Sequence, residues 1–367
     1  MSATESLRLT HAACQAALQS LDVPSSPPQN PPDLPTLRTD FISLLSLIYA
    51  ATTKLSLALK PSSPTYSASI IPLQDISDKV TALCHCVRLF GPKHGSTLTR
   101  EIISVARDLI VSVKALLQTF LDAEEIQRAR STGKAGDEYL VRTGAVHEII
   151  NHARSGLSHD NAAAVQKVLA QNHASLDDGL QEVDGMITTQ SSADNAPAGD
   201  WEDDGWSELG MDSRTPMTSE ELERTKKVHA MLRLSTLLHD RIIRNVLTVS
   251  AGPQLDLSSR FVKSLDSLPP HSSSLVVASD DLVSTLYTPQ TPSEITAELA
   301  AFIKVIENLR STLLELLQEP DLADQLPAMN LQTSTSYQRD PKKWFQTCFA
   351  QIQKAADSLE SVLNTHE

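Results

Sequence analysis

Apolar residues in this chain recur in alternating steps of four and three, and that spacing constrains the fold more than anything else in it. Phe41, Leu45, Ile48, Thr52, Leu55 and Leu59 fall on one stripe, and Ile76, Val80, Leu83, Val87 and Phe90 on a second. The stripe from Leu98 through Ile102, Val105, Leu109, Val113 and Leu116 to Phe120 repeats the pattern. So do Ile295 to Leu316 and Phe345 to Leu363. A strand needs period two, which none of these segments shows. Steps averaging 3.5 residues keep one seam of a helix facing its neighbours in a left-handed bundle. Several of the stripes end at a Pro or Gly, such as Pro61, Gly91 and Pro320, so several helices share a core rather than forming one long zipper.

Composition agrees with this reading. Of 367 residues 41% are apolar but only 4% aromatic, so Leu, Ala, Val and Ile carry the burial. That balance suits helix bundles better than sandwiches or barrels. The expected fold is all-α: two helical bundles of long antiparallel helices joined by an acidic, disordered linker.

Breakers set the boundaries. Val23 to Pro35 reads as a polyproline-like connector with overlapping PxxP spacings. The alternative, a ligand for an SH3-type adaptor, has Arg38 as its one flanking base. Lys60 to Pro64 and Gly91 to Gly95 read as turns between helices. From Thr188 to Pro216 the periodicity dissolves into turn formers, with six acids and no base between Asp200 and Asp212. Thr218-Ser219-Glu220-Glu221 then opens a long helix with a capping box and is expected to run to about Val249. This gives an N-terminal bundle over 1–187, a linker over 188–217 and a C-terminal bundle over 218–367.

Catalytic, cofactor and metal sites are not expected. His147 and His152 lie five apart, about 140° around a helix, and cannot share a metal as a zinc-protease pair does. Cys84-His85-Cys86 lacks the spacing and the second cluster of a zinc site and reads as buried thiols. Gly91 to Thr97 has the letters of a phosphate loop in the wrong order and after a helix. A net charge of −14 argues against nucleic acid, since the bases come in ones and twos such as Lys226-Lys227 and Lys342-Lys343. These pairs read as solvated helix-end lysines or as part of a nuclear import signal. Four cysteines make no disulfide framework, and no Asn-x-Ser/Thr acceptor occurs. Phe41 to Leu59, the best membrane candidate, is interrupted by Ser, Thr and Lys54. A cytoplasmic and nuclear protein is expected.

The segment FGPKHGSTLTREIISVARDLIVSVKALLQTF, from Phe90, resembles the cyclin-D-interacting protein (GCIP) family in its Pro-Lys and its Gly-x-Thr-Leu entry into a long helix. RTGAVHEII from Arg142, LSHDNAAAVQKVL from Leu157, the acidic linker followed by MTSEEL, and SDDLVSTLYTP from Ser279 are similar to the same family in the same order. His147 stands where relatives tend to carry Trp. The resemblance implies a non-enzymatic, all-α protein that sequesters partners. Animal members are described as binding D-type cyclins and helix-loop-helix factors, restraining cell-cycle progression and transcription.

Trp201 and Trp206, set among Asp203 and Asp204 in the linker, are the candidate partner-binding residues. Two indoles in an acidic run either anchor into a partner's basic, apolar groove or pack back on the chain's own bundles. The competing functional class is a structural module of the talin or vinculin kind, which shares this helix-rich composition.

Overall fold

The computed structural model describes residues 2–23, 32–128, 137–193, 216–247, 259–317 and 341–364. Every regular element among them is helical, and the chain divides into two compact units, Met1–Ala164 and Val165–Glu367.

The first unit holds α1 (Ala3–Asp22), α2 (Leu34–Ala58), α3 (Tyr66–Leu89), α4 (Ser96–Arg128) and α5 (Glu138–Gly156). The Ser2 hydroxyl accepts from the Glu5 amide to start α1, and Asp33 caps α2 in the same way. The helices close into a ring in the order α1, α3, α2, α5, α4. Neighbours run antiparallel except one pair. Thr10 meets Leu73, Cys84 meets Ala17 and Arg88 meets Ser20, so α1 and α3 run in the same direction. A ring of five cannot alternate all the way round, and this parallel pair departs from the antiparallel arrangement that the sequence suggests.

The stripes read from sequence form the core. Phe41, Leu45, Ile48, Leu55, Ile76, Val80, Leu83, Leu98, Ile102, Leu109 and Leu116 are essentially inaccessible. At about 25 cal/mol per Å² of apolar surface, each such side chain contributes roughly 1.5–3 kcal/mol. By length and mean hydropathy α2 is apolar enough to cross a membrane. Its hydroxyls reconcile that apolarity with a bundle: Ser43, Ser46, Thr52 and Thr53 each donate back to the carbonyl four residues earlier, while the Phe41 stripe faces the core.

The second unit holds nearly all of α6 (Asn161–Ala193), then α7 (Ser219–Ile242), α8 (Ser259–Ser284), α9 (Pro292–Leu316) and α10 (Pro341–Asn364). A five-residue π-turn, Ile243–Leu247, extends α7. Helices α7, α10, α9 and α8 form a ring of four in which α7 runs antiparallel to both its neighbours: Lys227 meets Ser358, Arg241 meets Trp344, and His239 meets Ser272. The buried stripe of α6, Val165, Leu169, Leu176 and Val183, belongs to this unit.

Two expected boundaries move. The sequence reading starts the linker at residue 188, but α6 continues to Ala193, because Thr188 to Ala193 contains neither Pro nor Gly. It also ends the first bundle at 187, whereas the compact units divide at 164/165. An uninterrupted helix shows no breaker where its packing partners change.

Candidate protein-interaction site

The motifs quoted above are corners of the fold. At the first, Gly91 donates to Nδ1 of His94, whose Nε2 lies 3.1 Å from the carbonyl of Pro32. Burial lowers the His94 pKa, against the opposing pull of that carbonyl. Gly95 follows at φ +89°, where a side chain is strained. The amide of Leu98, an orphan donor of the first turn of α4, is satisfied by Oδ1 of Asn161 at 3.0 Å. Gly-x-Thr-Leu and LSHDNAAA therefore meet in one joint.

The RTGAVHEII stretch seals α5 to α2. Thr143 and Ser56 share a 2.6 Å hydrogen bond in the core. His147 stacks on Tyr49 with ring centroids 3.8 Å apart, and its Nε2 lies 3.0 Å from Oγ1 of Thr53. Arg154 sits 5.2 Å from the centroid of the same Tyr49 ring. Burial lowers the His147 pKa, with a backbone hydrogen bond to Tyr49 acting the other way. His147 is thus a packing residue in this chain. Replacing it with alanine is expected to destabilise the first unit by about 1 kcal/mol, read as faster amide exchange in α5. Unchanged exchange would show that the stack contributes nothing.

MTSEEL and SDDLVSTLYTP meet at a third corner. Glu221 is 7% exposed and completes the capping box by accepting from the Thr218 amide at 2.8 Å. It also accepts from the Gln290 amide at 2.9 Å, while Gln290 Nε2 reaches Oγ1 of Thr225 and the Leu286 carbonyl, each at 3.0 Å. Burial pushes the Glu221 carboxyl upward, but the donors from Gln290 and Thr218 and the Arg224 charge outweigh it and hold the pKa below its ordinary value. Glu221→Leu removes two charge-assisted bonds and is expected to cost about 2–3 kcal/mol, seen as a lower melting temperature of the second unit.

A fourth polar cluster lies among α6, α7 and α8. His239 is fully buried, with Nε2 2.6 Å from Oγ of Ser272, which also accepts from Asn172 at 2.9 Å. His173 lies parallel to His239 with centroids 5.7 Å apart. Burial, reinforced by His173, pushes the His239 pKa down to about 4.

The cysteines are structural. Cys84 and Cys86 are buried on α3, with thiols 3.8 Å from the carbonyls of Ala17 and Leu37. Burial raises the pKa of Cys86 to about 11 and that of Cys14 to about 12, far from a reactive thiolate. Among the described residues no group of three or more His, Cys, Asp or Glu is placed to hold a metal.

The predicted partner-binding residues, Trp201, Asp203, Asp204 and Trp206, lie outside the described residues. The third tryptophan does not. Trp344 begins α10, edge-on to Phe345, with the Arg241 guanidinium 5.2 Å from its ring centroid. Arg241 belongs to an exposed row along α7 (Lys226, Ala230, Arg233, Leu237, Arg241 and Arg244) that reading the bases as adjacent pairs missed. Helical spacing of the cations is the signal that finds it. Lys227 by contrast is half-buried and paired, with Glu223 and with Ser358.

Polar joints that lock helices together define a helical-bundle protein. The chain belongs to the Grap2 and cyclin-D-interacting family: the family's N-terminal model matches residues 40–189 and its C-terminal model residues 202–311. No curated protein matches the sequence.

Proposed function

We propose that this chain is a non-enzymatic regulator that captures other proteins, with a cyclin-like protein or a helix-loop-helix factor as its partner. The observation that carries the reading is the pair of family matches on 40–189 and 202–311, from a family described as cyclin-D-interacting. Sequestration of such a partner restrains cell-cycle progression or transcription, and places the chain in cytoplasm and nucleus. Trp201 and Trp206, with Asp203 and Asp204, supply the anchor: indoles for an apolar pocket and carboxylates for its basic rim. The all-helical surface supports this, since partner helices dock in grooves between helices.

The test is an affinity pull-down from native cell extract, read by mass spectrometry, with the intact chain and a Trp201→Ala/Trp206→Ala variant. A cyclin or helix-loop-helix factor retained by the first and lost from the second is the expected result. Recovery of actin or other cytoskeletal proteins instead would replace this reading with that of a structural module.

A further inference from the structure

We propose that the outward face of α2 is a homodimer interface, which seats α2 of a second copy of this chain, antiparallel and centred on Leu47. This goes beyond partner capture and does not depend on it.

Helix α2 is more apolar than its place in a ring of five requires. By length and mean hydropathy it could cross a membrane, yet only 39% of its most apolar stretch is buried in the bundle. The rest of that apolarity faces outward. Leu47 is 48% exposed and Leu57 74%, Ala50 is exposed between them, and Ser43 turns its hydroxyl back to the Thr39 carbonyl. The matching row on α3 is polar, from Gln74 through Asp78, Thr81 and His85 to Arg88, as a solvated face should be. A helix that is apolar all round is ordinarily covered all round. Asp40, Ser43, Leu47, Ala50, Lys54 and Leu57 are all exposed and follow one another in steps of three and four. That is the spacing that lets a second helix lie along them. Helix α2 therefore carries two seams, the Phe41 stripe facing the core and this one facing away from it.

The occupant follows from the order of residues along the row. Asp40 and Lys54 lie seven residues, about 10.5 Å, to either side of Leu47. A two-fold axis through Leu47 sets Asp40 of each copy against Lys54 of the other, and Ser43 against Ala50. The small pair opens the hole into which Leu47 of the other copy fits. Neither Asp40 nor Lys54 has an ion-pair partner among the described residues, so both charges are available for this pairing. A parallel pair would set Asp40 on Asp40 and Lys54 on Lys54, so charge selects the antiparallel one. A bilayer would leave both charges in hydrocarbon, which disfavours lipid as the occupant.

Sedimentation equilibrium of the purified chain tests this. A monomer–dimer equilibrium is expected, and Leu47→Glu is expected to abolish it. Asp40→Lys and Lys54→Asp, each alone, turn both attractive contacts into like-charge ones and are expected to weaken the dimer by about tenfold or more. Mixing these two variants is expected to restore association, because the chain with two lysines then meets the chain with two aspartates. Mixing could not repair a folding defect in either variant. A native chain that stays monomeric throughout the concentration range overturns the proposal. So does a dimer indifferent to Leu47→Glu and to the charge reversals, or a mixture that associates no better than its parts. A native chain that floats with phosphatidylcholine vesicles instead of self-associating assigns the face to lipid and overturns it as well. No captured partner enters these measurements, so they and the pull-down fail independently.

Discussion

Gly95→Ala is expected to destabilise the first unit by about 3 kcal/mol or more. A residue at φ +89° and ψ 144° occupies a region that only glycine enters cheaply, and strain of this kind is worth about 1–3 kcal/mol. A methyl group here would also overlap the amide group of Asn161, itself 7% exposed and hydrogen-bonded to the Leu98 amide. The side chain must move, and a capped helix start then becomes an uncapped one, adding about 1 kcal/mol. A thermodynamic cycle separates the two effects. Asn161→Ala alone loses the cap, but in its presence Gly95→Ala loses only the strain, so the double variant should be more stable than the sum of the singles predicts. Hydrogen exchange in α4 is the appropriate readout, because the tryptophans all lie outside the first unit and a two-unit chain has no single unfolding transition. Additive losses would show that Gly95 and Asn161 do not contend for the same space.

Acidification is expected to weaken the second unit through His239. Its pKa is lowered from 6.5 to about 4 in the folded chain. Above pH 6.5 the imidazole is neutral whether the chain is folded or not, and contributes no pH dependence. Between pH 6.5 and 4 the unfolded chain takes up a proton that the folded chain refuses, so stability falls as pH falls. The loss is complete below about pH 4 and amounts to roughly 3 kcal/mol. Carboxylates titrate in the lower part of this window, so the informative quantity is the difference between the native chain and His239→Gln. Glutamine keeps a polar atom near Ser272 and carries no proton, and its profile should be flatter by that amount from pH 6.5 to 4. Parallel profiles would mean that His239 ionises in place.

Legibility from sequence followed the physics of each element. Helices α2, α3, α4, α9 and α10 were visible because a single face carries their burial, and the residues expected inside are inside, with Val105 only partly so. Helix α7 was expected from its capping box, which is present, but its buried arc is much wider and includes Arg224, Thr225, Ser235 and His239. Apolar periodicity under-reports such a helix, because polar groups meet their partners only after folding. The assignment of α6 was hidden for a different reason: periodicity says which side of a helix is covered, not by what. The family motifs were legible as motifs, yet their contacts join residues up to 119 positions apart, as between Arg38 and Leu157, and one chain carries no record of such pairings. The cationic face escaped because its members are spread over several turns.

The parallel helix pair bears on what α1 contributes to the first unit. Remove α1 from the ring, and α3, α2, α5 and α4 remain in an order that alternates without exception, with α3 and α4 already in contact. The chain therefore contains a complete up-and-down four-helix bundle to which α1 is added as an odd fifth member, joined by eleven intervening residues from 23 to 33. The N-terminal family match begins at residue 40, beyond α1 and its tether. The first helix is in this sense an addition to a bundle already complete in its order, one that sets Leu7 and Cys14 into the shared core.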